Sequence, residues 1–207
     1  MTLFTIALPA IKTLVGRLGT PEIDGLPGVL RPDGAGAVIV CNHVGWADSI
    51  WLGYALYPRQ LRFISKQELS RTPVARWVLE QSGCISINRA DPAPQAIKTA
   101  VDLLRQGEVI LVFPSGTRTQ ENAVYKRGAA SLALHAQVPI VPAFYSGPKH
   151  IRVVDLMDRP RVRISFGPII ATAGLSTDKP VAEALTCELQ TAIERLGAGP
   201  DVLRSAA

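Results

Sequence analysis

The feature that most constrains this chain is a set of short, uninterrupted apolar runs. Residues 37–41 read AVIVC and residues 109–113 read VILVF, with no polar residue at alternate positions. A strand with one wet face alternates, whereas a strand that is apolar throughout has protein on both sides, as in a parallel sheet covered by helices. Helical patterns fall between such runs. Residues 47–56 suit a helix, as do 73–81, opened by Thr72 with proline near its first turn. Residues 94–106 place Ile97, Val101 and Leu104 on one face and stop at Gly107. Strands are expected at 61–65, 84–88 and 140–145, and an alternating strand of more edge character at 162–166. Residues 128–137 form a small-residue helix, and a last helix covers 180–196 before Gly197. This alternation specifies an α/β single domain with a central, largely parallel mixed sheet flanked by helices.

The size agrees. At 207 residues the chain can bury about 70% of its unfolded surface, enough for one core. We divide it into an N-terminal amphipathic segment, 1–20, and one domain, 21–207. Residues 3–18 are mostly apolar but are interrupted by Pro9, Lys12 and Arg17. The part before Lys12 would extend about 15 Å as a helix, half a bilayer core, so it cannot span. Its apolar face either lies in a membrane interface or covers the domain's own core.

The chain has 22 Lys and Arg against 17 Asp and Glu, a net charge of +5. Nine basic against six acidic residues in 1–89 leave +3, and 90–207 carries the other +2, so the basicity is spread out. Nucleic-acid binders concentrate it in a stripe, so a nucleic-acid partner is not expected. Arg59, Arg62, Lys66, Arg71 and Arg76 make the one sizeable local excess. It suits an anionic substrate, an anionic lipid surface or a solvated face. Cys41, Cys84 and Cys187 are odd in number and lack metal-type spacing, so no metal site is expected and a reducing setting fits.

Two segments carry chemistry. Asn42-His43-Val44-Gly45-Trp46-Ala47-Asp48 directly follows the first apolar strand. A histidine and an aspartate five apart across a strand-to-helix turn can hydrogen-bond, which fixes the tautomer and frees the other ring nitrogen as a general base. With three histidines and nine aspartates, the bare spacing arises by chance in roughly one such chain in eight. By itself it serves either a catalytic pair or a helix-capping histidine. The second segment, Phe113-Pro114-Ser115-Gly116-Thr117-Arg118-Thr119, ends a buried strand in a turn. Gly116 permits close backbone approach, Ser115 and Thr117 supply hydroxyls, and Arg118 can grip a phosphate; an ordinary turn with an exposed arginine has the same residues. Lys66, Arg89 and Lys126 add cations near the ends of predicted elements. His43, Lys66, Arg89 and Arg118 each lie just beyond the carboxyl end of a different predicted strand, and in a parallel sheet those ends share the edge where ligands bind.

In these residues the chain resembles the glycerolipid acyltransferase family, whose best-known members acylate lysophosphatidic acid. Asn42-His43 to Asp48 is similar to the family's NHxxxxD block. Lys66 to Leu69 and Gly83 to Arg89 resemble its second block, and Phe113 to Thr119 its FPEGTRS block, followed by Tyr125-Lys126-Arg127-Gly128. Val138-Pro139-Ile140-Val141-Pro142 resembles its last, proline-flanked block. The blocks occur in order across residues 37–142. Ser115 stands where the family has glutamate, and Ser86 where it usually has an aromatic.

The resemblance implies transfer of an acyl chain from a thioester, acyl-CoA or acyl carrier protein, to an acceptor hydroxyl on a lysophospholipid, at the cytoplasmic face of a membrane. It implies His43 as base, Asp48 as its orienting partner, and no covalent acyl-enzyme, cofactor or metal. Lys66, Arg89, Arg118 and Lys126, with the Ser115-Gly116-Thr117 turn, would hold the acceptor. The missing glutamate leaves those cations less compensated, which implies tighter anion binding or a different head group. It also leaves open a non-catalytic lipid-binding relative, or a thioesterase in which water replaces the alcohol.

Overall fold

The computed structural model of the chain describes residues 9, 12–66, 85–87, 94–114, 125–152 and 154–199. Seven strands among these form one sheet: β1 (Thr20–Asp24), β2 (Ala37–Cys41), β3 (Leu61–Lys66), β4 (Ile85–Ile87), β5 (Val109–Val112), β6 (Ile140–Ser146) and β7 (Arg161–Phe166). Their spatial order is β1-β7-β6-β2-β5-β3-β4. From β6 to β4 all neighbours run parallel. β7 runs antiparallel to β6, and β1 parallel to β7. The expected largely parallel mixed sheet is what the chain forms.

Among the described residues, helices include α1 (Ala47–Leu56), α2 (Pro94–Arg105), α3 (Gly128–Ala136), α4 (Asp155–Asp158) and α5 (Lys179–Ala198), with a 3-10 turn at Gly28–Leu30. β2 is buried at every position, and its side chains divide by parity, as a strand's must. Ala37, Ile39 and Cys41 join Trp51, Leu52 and Leu56 of α1 on one face, whereas Val38 and Val40 meet α2, α3 and α5 on the other. Such two-sided burial makes the run uniformly apolar. Residues 12–17 are helical, and Val15 is buried in the same core as α1. Of the two roles open to the N-terminal segment, this stretch takes up the covering of the core.

Two expectations are corrected and one element is new. First, β7 is not an edge strand, because β1 covers it. β1 is Thr-Pro-Glu-Ile-Asp with no fully buried residue, so no hydrophobic pattern announces it, and its proline is tolerable because an edge strand need not donate every N–H. Second, α4 has no precedent in the sequence reading. Third, Arg59 and Arg62 of the basic group are engaged within the fold and stand away from Lys66. Arg59 donates to the carbonyls of Val29, Arg31, Ala35 and Gly107, and Arg62 pairs with Glu108 at 2.9 Å. Both lie toward the amino end of β3, whereas Lys66 ends that strand. A six-residue strand is about 20 Å long, so the first two arginines staple loops near the opposite edge of the sheet from Lys66. The expected helix at 73–81, Arg71 and Arg76 lie outside the described residues.

Candidate active site

β2 ends at Cys41, and the chain turns through residues 42–46 into α1. The first N–H groups of a helix have no partner within it, so the turn must supply acceptors. Asp48, fully buried in the first turn of α1, accepts from one of them, Ser49, and from two N–H groups of the turn itself. Its Oδ2 accepts from the N–H groups of Val44 (2.9 Å) and Gly45 (3.1 Å), and its Oδ1 from the N–H (2.7 Å) and hydroxyl (3.3 Å) of Ser49. The fifth donor is His43, whose Nδ1 lies 2.9 Å from Oδ2. An oxygen already facing two N–H donors has no proton to give, so Nδ1 is the donor and Nε2 is the acceptor of the ring.

The ring is held from the side as well. It stacks on Phe113 with centroids 4.0 Å apart and planes 22° apart, and 15% of its side chain remains exposed. Phe113 directly follows β5, the neighbour of β2. The imidazole therefore sits between the carboxyl ends of two adjacent parallel strands.

A second set of contacts fixes the turn to β6. The Asn42 amide donates to the Tyr145 carbonyl at 2.9 Å and accepts from the Tyr145 N–H at 2.7 Å. One side chain thus continues the β2–β6 ladder past the last strand residue. The Tyr145 hydroxyl donates to the Pro148 carbonyl, and the Lys149 carbonyl accepts from the N–H groups of Trp46 and Ala47. Residues 147–150 thereby strap the turn in place. The strap lies so close that a Cβ on Gly45 would stand 1.9 Å from the Lys149 oxygen. Burial, reinforced by the Asp48 carboxylate, pushes the Cys41 thiol well above its ordinary 9.0, and the same two causes in that order push the Tyr145 hydroxyl above its ordinary 10.0.

Of the residues singled out from sequence, His43 and Asp48 are brought together as expected. Lys66 ends β3 and is described in its backbone only. Lys126 is exposed, and its N–H donates to the Pro114 carbonyl at 3.0 Å, which puts its backbone beside the end of β5. Arg89, Ser115, Gly116, Thr117 and Arg118 lie outside the described residues. Because β2, β5, β3 and β4 are parallel neighbours, the described strands preceding these segments all leave the sheet at the edge that carries His43. Sequence reading missed the Asn42 clamp, the Phe113 stack and the Gly45 contact. Each depends on a partner distant in sequence, and only the polar Asn42, directly after an apolar strand, gave a hint.

The stretch of chain that builds this turn and its neighbouring strands is matched by a known family. A profile described as Acyltransferase matches residues 28–146, from the 3-10 turn through β6. The chain belongs to the acyltransferase family. Among curated members, it is 35% identical over 161 residues to 1-acyl-sn-glycerol-3-phosphate acyltransferase of Bacillus subtilis (strain 168), covering 78% of this chain and 77% of that one. It is 31% identical to the Streptococcus pneumoniae enzyme of the same name, covering 77% of this chain and 60% of that one. It is also 37% identical over 111 residues to a lyso-ornithine lipid O-acyltransferase of Pseudomonas aeruginosa, covering 52% and 42%. The chain spans less than two thirds of the length of the latter two. The fold is that of the 1-acyl-sn-glycerophosphate acyltransferase PlsC of Thermotoga maritima, with a TM-score of 0.67 at 21% identity over 92% of this chain and 80% of that one.

Proposed function

We propose that this acyltransferase moves an acyl chain from a thioester, on coenzyme A or acyl carrier protein, to the hydroxyl of a lysophospholipid such as 1-acyl-sn-glycerol-3-phosphate. The observation that carries the reading is the 2.9 Å contact between His43 Nδ1 and an Asp48 carboxylate held by four further donors. Such a pair leaves Nε2 as a positioned base. In the proposed step, the acceptor O–H gives its proton to Nε2 while its oxygen bonds to the thioester carbon. The tetrahedral oxyanion then collapses, the C–S bond breaks, and the imidazolium returns the proton to the departing thiolate. Asp48 stabilises the imidazolium without taking its proton, and no side chain is acylated. Lys66, Arg89, Arg118 and Lys126, with the Ser115-Gly116-Thr117 turn, hold the acceptor head group. Positioning of this kind can supply several kcal/mol of the barrier.

A second reading concerns the acceptor. Ser115 removes a carboxylate from the acceptor segment, and one relative is named for a lyso-ornithine lipid, so a different head group is a specific alternative. Release of free thiol from acyl-CoA or acyl carrier protein is measured with no acceptor, with 1-acylglycerol-3-phosphate, and with lyso-ornithine lipid. Acceptor-dependent release by the parent and none by His43→Ala is expected. Equal release with and without acceptor would make the chain a thioesterase. No release with either acceptor, or full turnover by His43→Ala, would overturn the reading.

A further inference from the structure

Beyond the reacting pair, the edge of the sheet that carries His43 has an uncovered apolar rim. β6 ends and β7 begins at this edge, because the two are antiparallel neighbours. Within their connection, Val154 and Leu156 are 44% and 45% exposed and Met157 is 85% exposed. Trp46, 42% exposed, belongs to the same edge. Its N–H bonds to the strap carbonyl of Lys149, and its ring lies 6.4 Å from that of His150. Large apolar side chains left exposed along one edge of the sheet suit a surface that meets something apolar.

Several backbone donors under this rim bond within the segment. The N–H groups of Met157 and Asp158 donate to the Val154 carbonyl, that of Arg159 to Asp155, and that of Asp155 to Arg152. Asp155, 1% exposed, accepts from the Arg152 N–H at 2.7 Å and from its guanidinium at 3.2 Å. Each backbone donor satisfied in this way is one polar group fewer to strand at an apolar boundary. Around the segment stand the exposed side chains of Lys149, Arg159 and Arg161, with Arg152 paired to Asp155, against Asp158 as the exposed acid of the same connection. Exposed apolar side chains in a connection that also exposes more cations than acids complement an anionic lipid surface, and an aromatic such as Trp46 suits its interface.

We propose that Trp46 and residues 154–157 of α4 and its approach form the docking surface of this chain for an anionic lipid bilayer. The acceptor then reaches His43 from the docked leaflet. This deepens the acyltransferase reading and rests on it for its consequence, whereas the docking itself is measured without substrate. The surface differs from the Arg59–Arg62 region, whose guanidiniums are occupied near the other edge.

The test is flotation of the full chain with vesicles of phosphatidylcholine alone and of phosphatidylcholine with phosphatidylglycerol. The parent is expected to partition at least tenfold better onto the anionic vesicles. Leu156→Asp combined with Met157→Asp alters two exposed side chains, and an unchanged urea midpoint verifies its fold. This variant should lose at least tenfold in partitioning, keep its turnover on acceptor presented in detergent micelles, and lose turnover on acceptor held in vesicles. His43→Ala should float like the parent, which separates docking from chemistry. A double variant that floats like the parent, or a parent without preference for anionic vesicles, would overturn the proposal. Flotation as expected with no transfer by the parent would instead overturn the acyltransferase reading and leave the docking surface standing.

Discussion

Asp48 and His43 touch each other, yet the structure assigns them unequal shares of stability. In Asp48→Asn, the amide oxygen can face only one of the two sets of donors. Turned toward Val44, Gly45 and His43, it keeps three hydrogen bonds but loses the charge that strengthens them, about 1 kcal/mol each. The amide nitrogen then faces the Ser49 N–H, which loses its acceptor at a cost of about 1–3 kcal/mol. Allowing for relaxation, the variant should be less stable by about 4 kcal/mol. His43→Ala removes one of the five donors and leaves Asp48 with four. It also removes the stack on Phe113, so its cost is about 1–2 kcal/mol. Catalysis should rank them differently: His43→Ala abolishes transfer, and Asp48→Asn lowers kcat about 10²–10⁴-fold. Urea unfolding and thiol release on the same preparations give both numbers. If His43→Ala proved as destabilising as Asp48→Asn, Asp48 would not be the acceptor that organises this turn. If Asp48→Asn stayed within tenfold of the parent in kcat, the histidine would not depend on it.

Two further outcomes follow from the surroundings of the pair. Gly45→Ala puts a methyl against the Lys149 carbonyl, where a Cβ would lie 1.9 Å from the oxygen; losing the two strap bonds from Trp46 and Ala47 should lower stability by about 2–3 kcal/mol in urea unfolding and reduce turnover, and parent-like values in both would show the strap to be dispensable. Cys41 and Tyr145 have raised pKa values, so the folded state keeps protons that the unfolded state releases, and stability present at neutral pH should fall as pH rises past 9.0 and then 10.0. Urea midpoints from pH 7 to 10.5 measure this, Cys41→Ala should flatten the first part of the decline, and a parent midpoint that does not fall would refute the assignment.

What could be read from sequence follows a physical division. The strands with protein on both faces, such as β2 and β5, announce themselves because every position must be apolar. His43 and Asp48 are legible because both belong to one turn. β1 was missed because its side chains are largely exposed, and α4 because four residues are too few for a helical period. The contacts that hold the site, Asn42 to Tyr145 across 103 residues and Gly45 to Lys149, depend on which strand lies beside β2. Nothing local in the sequence specifies that. The separation of Arg59 and Arg62 from Lys66 is illegible for the complementary reason: residues near in sequence lie toward opposite ends of one strand.

Strand order also explains why the histidine stands on β2 rather than on another strand of the same edge. β2 hands its chain to α1 on one face of the sheet, and its neighbour β5 leads to α3 on the other. Where adjacent parallel strands send their connections to opposite faces, the carboxyl ends part and leave a crevice. His43 after one strand is stacked against Phe113 after the other, so the ring stands where the two strands part, and α1 brings Asp48 to it. On the other side of β2 the sheet turns antiparallel at β6 and β7. The connection between those two must therefore return at the same edge, and it is this connection that carries the strap and the apolar rim of α4. One reversal of connection side thus makes room for the base, and one reversal of strand direction places a lipid-facing surface beside it. The two need no contact to act together, because both are consequences of where β2 lies in the sheet.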